Sequence, residues 1–227
     1  MLEVVLCSSI PTQLALGVLA ASLGVAPMTD AGQLAMPFVV TVALADTALL
    51  VALMAWLTTA RGDSLARLWL GERSLAAEAR YGLLLTPLVF LVVVVTMLTV
   101  RQLAPWLHNV PTNPLEQMAA RDLASGLLLG VVAIVAGGVR EELQRAFLLD
   151  RFERHLGGAT VGVVTLSVAF GLGHYIQGWD TAITTGAMGA LWAIVYVRRR
   201  SSIGPIVSHS VFNSLEILRV IIGAGAA

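Results

Sequence analysis

The sequence predicts an all-α, polytopic membrane protein with about seven transmembrane helices, and three observations carry that expectation. Hydrophobic residues make up 57% of the 227 positions and charged residues only 12%, half the roughly 25% charge of a soluble domain. The mean hydropathy is +0.84. Uncharged runs recur along the chain, close to the roughly 20 apolar residues a helix needs to cross a bilayer.

The runs fall in order. Val4 to Met28 carries no charge and is interrupted by Pro11. Ala31 to Ala60 carries one, Asp46. Tyr81 to Val100, Leu123 to Val139, Leu156 to Gly173 and Thr181 to Val197 carry none. Ser201 to Leu215 is uncharged and continues past Glu216 and Arg219. The N-terminus lacks a basic start, and Glu3 is its only early charge, so it reads as a first span rather than a removed signal peptide. The lone Cys7 excludes an intramolecular disulfide and a zinc-type cysteine cluster. It reads as a plain apolar residue. Zero net charge argues against nucleic acid as a partner. The partner expected from composition is the lipid bilayer, and oligomeric state is not legible.

Arginines orient the spans. All fourteen basic residues are arginine, a skew that with the wealth of Ala, Leu, Val and Gly points to a GC-rich bacterial genome. Arg61, Arg67, Arg73 and Arg80 follow the second run. Arg140, Arg145, Arg151 and Arg154 follow the fourth, and Arg198 to Arg200 follow the sixth. With seven alternating spans these lie on one side, against Arg101 and Arg121 on the other. The bias predicts a cytoplasmic N-terminus and an outward C-terminus in a bacterial plasma membrane. Ser64 to Gly82 mixes leucines with charges, as either an interfacial helix or a connecting loop. Ala104 to Pro114 reads as an outer loop, with His108 solvated. No internal repeat suggests a transporter built from inverted halves.

The stretch "VREELQRAFLL", Val139 to Leu149, departs from this apolar pattern. Carboxylates are unfavourable at a helix C-terminus, and no stop appears before Gly157-Gly158. One helix therefore runs from near Asp122 to Leu156, with Glu141 and Glu142 inside it. Glu141 lies four residues before Arg145 and Glu142 three before it, so an internal ion pair is available. Glu141 is sixteen residues before Gly157 and His174 sixteen after Gly158. An antiparallel hairpin therefore puts both about 24 Å from the turn. His209 and Asn213, four apart, share a face of the last helix. Intramembrane Glu, His and Asn are costly in lipid and mark a functional site by default, and Asp46 falls under the same rule.

A carboxylate can take a proton from water, and imidazole and amide groups can stabilise the oxyanion formed at a carbonyl. That is a minimum kit for amide hydrolysis. Two histidines and a glutamate could instead hold zinc with an open position, with His174, His209 and Glu142 as candidates. No HExxH motif is present. The sequence leaves both versions open, so the cofactor is unknown, with zinc the one considered.

Glu141-Glu142 with Arg145, then "FGLGH" (Phe170 to His174), then "HSVFN" (His209 to Asn213) resemble the three ordered motifs of the CAAX prenyl protease 2 and bacteriocin-processing family of intramembrane proteases. The resemblance covers roughly Leu123 to Ile222. It implies an all-helical fold with a conical cavity open to cytosol and membrane. It also implies an endopeptidase acting on membrane-embedded or lipidated proteins or peptides. A single integral membrane domain is then expected, with residues 1–121 as N-terminal helices and loops and 122–222 as the protease-like core of the last four helices. By this resemblance Glu141 or Glu142 activates water, and Arg145 positions the glutamates. His174 orients water or binds metal, and His209 and Asn213 stabilise the oxyanion. The chain departs from the pattern at one point, because Arg145 follows Glu142 by three positions rather than four. Anchored on Arg145 and Ala146, Arg140 takes the place of the first family glutamate. Anchored on the acidic pair, Glu141 takes it. Glu141 is the favoured base, with Arg145 as its expected i,i+4 partner, and a helical bulge would reconcile the spacing. The alternative function is a non-catalytic scaffold or immunity-type protein of the same fold.

Overall fold

The computed structural model describes residues 1–225. They are helical without a strand, apart from one isolated bridge between Met28 and Leu34. Five helical stretches are long and apolar enough to cross a membrane: Met36–Ala60, Ala66–Leu103, Leu123–His155, Trp179–Arg199 and Ile203–Ala224. The protein is an integral membrane protein. Two of the seven expected spans form as shorter apolar helices, Ile10–Ser22 and Ala159–Leu172.

The first expected span is two helices, α1 (Leu2–Leu6) and α2 (Ile10–Ser22). Ser9 breaks them with a left-handed φ of 73°. Pro11 sits in the first turn of α2, where its missing N–H leaves no intrahelical bond unmade. Thirteen residues rise about 20 Å, less than the roughly 30 Å hydrocarbon core. After α3 (Met36–Ala60), the amphipathic segment forms only one π turn, Ala66–Leu70, ended by Gly71 at φ 75°. Ser74 then caps α4 (Leu75–Leu103) by accepting a hydrogen bond from the Ala77 N–H. The rest of that segment is thus the foot of a long helix. Leu84, Leu91 and Leu98, seven apart on α4, are all exposed and form its lipid-facing stripe.

A short α5 (Pro114–Ala119) precedes the long helix expected to carry the glutamates. That helix is continuous from Leu123 to His155, as α6 (Leu123–Val132), a π stretch (Ala133–Arg140) and α7 (Glu141–His155). Asp122 caps it through the Ser125 N–H. Gly157 and Gly158, both at positive φ, turn the chain into α8 (Ala159–Leu172). This is the expected hairpin. α9 (Trp179–Arg199) and α10 (Ile203–Gly225) complete the bundle. Leu50, Met54 and Phe147 form one buried cluster between α3 and α7, and Val89, Trp192 and Phe212 form another between α4, α9 and α10.

The two ends of the bundle differ. One gathers the N-terminus, the α3–α4 connection, the foot of α7 and the α9–α10 turn. Arg61 pairs with Glu3, Arg154 with Asp63, Arg199 with Glu78 and Arg200 with Glu153 there. The opposite end holds the loop after α4, α5 and the start of α9, where Arg101 pairs with Asp180.

Candidate active site

The site begins with the acidic pair opening α7. Glu142 is buried, 2% exposed, and faces the C-terminal helices. Arg145 grips it with Nε at 3.0 Å and Nη2 at 3.2 Å, and His209 brings Nδ1 to 3.0 Å of Oε1. Arg145 itself lies over the Phe170 ring, 4.5 Å from its centroid. The expected pairing of Arg145 with Glu141 does not form. The arginine goes to Glu142, one residue nearer and on the buried face.

Glu141 lies on a different side of the helix, because successive residues on a helix do not share a face. Its Oε1 accepts from Arg140 Nη2 at 3.1 Å. Arg140 is 6% exposed and reaches toward the N-terminal half. Its Nη1 donates to Ser9 Oγ and to Gln144 Oε1, each at 2.9 Å. Ser9 Oγ donates to Asp46 Oδ2 at 2.6 Å, and Thr12 and Gln13 also donate to that carboxylate. Asp46 has no exposed surface and lies 3.8 Å from Arg140 Nη1. The intramembrane acid of α3 is therefore linked to Glu141 through one arginine. The left-handed backbone at Ser9 is held by these same bonds, as strained conformations require.

The π stretch sets which way the pair points. A π register turns fewer degrees per residue than an α-helix, so everything after Ala133 is rotated relative to a straight helix. The bulge expected to reconcile the motif spacing does not form between Glu142 and Arg145, where α7 is a regular α-helix; the π stretch ends before Glu141 and leaves that spacing at three. Asn213 Nδ2 donates to the Ala133 carbonyl at 2.9 Å, which fastens α10 to this stretch. Gly137 makes the approach possible. A Cβ there would lie 2.7 Å from Asn213 Nδ2 and 3.9 Å from His209 Nε2. His209 thus presents Nε2 toward Gly137 while Nδ1 stays on Glu142. Trp192 stacks on the His209 ring at 3.9 Å and 16°, and its Nε1 donates to Ser208 Oγ at 2.9 Å.

His174 follows the C-terminal end of α8. Its Nδ1 lies 2.8 Å from the Phe170 carbonyl. A carbonyl only accepts, so Nδ1 carries the proton and Nε2 of the neutral ring is free to accept.

Glu141, Phe170, His174, His209 and Asn213 all line one cavity of about 550 Å³. Its walls are apolar, with Val93 and Met97 of α4, Leu129 and Val132 of α6, and Ile217 of α10. Glu142 and Arg145 lie behind the wall rather than in it. His108 is exposed, as expected; it also borders the cavity and places Nδ1 2.8 Å from Asp180. Glu216 and Arg219 pair as expected, at 3.0 Å, and Arg219 also takes Glu116 at 2.9 Å.

Zinc fits these residues poorly. Among the described residues no three His, Cys, Asp or Glu side chains converge in a way that could hold a metal ion. Of the three candidates, Glu142 has both oxygens occupied by Arg145 and His209, and His209 has Nδ1 committed to Glu142. The sequence reading missed Arg140 as a partner of Glu141, as well as Ser9 and Trp192. An uncompensated arginine beside the pair was the one available clue.

Residues 123–215 match the family described as Rce1-like, type II CAAX prenyl endopeptidase Rce1-like. This is the protease family that the three motifs resemble. The matched stretch starts at the first residue of α6 and includes all six candidate residues, but not Ser9 or Asp46. No curated protein and no solved structure matches the chain.

Proposed function

We propose that the protein is an intramembrane endopeptidase in which Glu141 is the general base. The observation that carries this is the division of the acidic pair: Glu141 lines the cavity shared by His174, His209 and Asn213, whereas Glu142 is saturated behind it. A water held between the Glu141 carboxylate and His174 Nε2 gives its proton to Glu141 as its oxygen bonds to the peptide carbonyl carbon. The carbonyl oxygen becomes an oxyanion. The amide N–H of Asn213 not used by Ala133, and Nε2–H of a doubly protonated His209, donate to it. Glu141 then passes the proton to the amide nitrogen, the C–N bond breaks, and an acid and an amine leave. Glu142 holds His209 through Nδ1, and Arg145 holds Glu142. The family's protease character and the bilayer setting support a membrane-embedded or lipidated peptide or protein as substrate.

The test is cleavage of quenched-fluorescent membrane peptides, prenylated and not, by the protein in detergent. Glu141→Gln keeps the shape and removes the base. It should lower kcat by about 10²- to 10⁴-fold with the melting temperature unchanged. Cleavage that survives Glu141→Gln would sink the assignment of the base. A wild type inert across the panel would favour the scaffold alternative.

A further inference from the structure

We propose that this cavity is loaded from the arginine-poor face of the membrane, so that the cleaved bond belongs to an apolar polypeptide segment presented on the non-cytoplasmic side. The inference rests on the peptidase reading for its substrate, and on the fold alone for its direction.

The cavity runs one way from its floor. Glu141, Gly137 and His209 form the deep end. From there the lining follows α10 through Phe212 and Asn213 to Glu216 and Arg219. Along α9 it runs from Met188 back to Thr181, toward the start of that helix. Eleven residues separate Met188 from Arg199, so about 16 Å of helix lies between the cavity and the arginine-rich turn. The mouth is ringed by Arg101, His108, Asn113 and Gln177, from the loop after α4 and the α8–α9 connection.

The other direction is sealed. Trp192, with no exposed surface, lies flat on His209. The buried Glu142–Arg145 pair stands beside it. Beyond them the π turn Ala66–Leu70 closes the end. Trp69 Nε1 donates to the Leu143 carbonyl at 3.2 Å, and Tyr196 Oη donates to the Leu68 carbonyl at 3.0 Å. A second cleft of about 640 Å³ opens at the arginine-rich end, but none of the six candidate residues lines it.

Arginine marks the cytoplasmic side of short loops. Arg61, Arg67, Arg73, Arg80 and the Arg198–Arg200 triplet flank helix ends at the sealed end, and the mouth has only Arg101 and Arg219 in its lining. Both of these are neutralised, by Asp180 and by Glu116 with Glu216. The mouth therefore selects little by charge. Its apolar walls suit hydrophobic side chains on an extended segment, with the Gln177 amide N–H groups and the Thr181 hydroxyl in the lining for backbone polar groups, while Asn113 caps α5 and donates to Gln177 Oε1. This reverses the cytosolic opening that the motif resemblance implies.

The experiment reads direction without needing cleavage. Cys7 is buried with no exposed surface and stays silent toward a bulky membrane-impermeant maleimide. Thr112→Cys adds an exposed thiol beside the mouth, Thr181→Cys one in the cavity wall, and Glu72→Cys one at the sealed end. In intact cells Thr112→Cys and Thr181→Cys should label at least tenfold faster than Glu72→Cys, which should label only after permeabilisation. The reverse order, or equal labelling at both ends, overturns the proposal. Labelling from outside combined with no cleavage of any peptide would leave the direction standing and remove the peptidase reading instead.

Discussion

Glu142 and Glu141 are adjacent, yet they belong to different halves of the molecule. Glu142 turns toward α9 and α10, where Arg145 and His209 take both of its oxygens. Glu141 turns toward the cavity and the N-terminal helices, where Arg140 takes one oxygen and leaves the other to the cavity. The difference teaches how one acidic pair can be split between tasks. A carboxylate that is fully hydrogen-bonded is a fixed counter-charge and a poor base, because its lone pairs are spent. A carboxylate tethered at one oxygen keeps its orientation and a free acceptor. The family-matched core supplies the first environment by itself. The second depends on residues outside it, Ser9 and Asp46, reached through Arg140.

The comparison breaks most severely at Glu142. Glu142→Ala would strand the Arg145 guanidinium in a buried site and release His209. Removing one partner of a buried pair costs about 3–5 kcal/mol, so the protein should melt much earlier in detergent and lose cleavage with it. Glu141→Gln should instead lose cleavage while melting normally. If Glu142→Ala melts normally, the buried pair is not a structural anchor.

A milder change probes the link to the N-terminal half. Asp46→Asn keeps a side chain for Ser9 and Thr12 to bond but removes the charge opposite Arg140. Arg140 then leans more strongly on Glu141. A carboxylate that is held more firmly accepts a proton less readily. We expect kcat to fall with KM and the melting temperature unchanged. A merely structural role would lower the melting temperature along with kcat.

How far this split is legible in the sequence follows from the range of the interactions. The long helix through the glutamates is readable because nothing stops a helix before Gly157. The Glu142–Arg145 contact is available from i,i+3 spacing, and the need of Asp46 for a polar partner follows from its place in an apolar run. The direction in which each glutamate points is not readable. It depends on a π stretch, Ala133–Arg140, whose register change leaves no compositional mark beyond Gly137 and Gly138. It also depends on contacts between distant positions, such as Ser9 with Arg140 and Trp192 with His209, which no periodicity encodes. The break at Ser9 was hidden for a similar reason. Pro11 is compatible with a continuing helix, and the left-handed turn before it is held in place by Asp46, on another helix.

The smallest expected effect lies at the arginine-rich end, far from both glutamates. Glu3 bridges Arg61 at 2.6 Å and Arg151 at 2.7 Å. Burial alone would raise its pKa, but the hydrogen bonds from Arg151 and then Arg61 outweigh it and hold the carboxyl below its ordinary value of 4.5. A depressed carboxyl contributes stability that is fully present above the unfolded value and is lost as pH falls through the folded one. The wild type should therefore be more stable than Glu3→Gln at pH 7, by about 1 kcal/mol for a partly exposed ion pair. The gap should close as pH drops below 4.5. Melting curves of the two proteins between pH 7 and pH 3 would show the convergence. The cavity lies at the other side of the Trp192 seal, so cleavage at pH 7 by Glu3→Gln should match the wild type. A drop in kcat without a drop in melting temperature would mean that the two ends of the bundle are coupled after all, through α1 and the Ser9 bend that links Glu3 to Arg140.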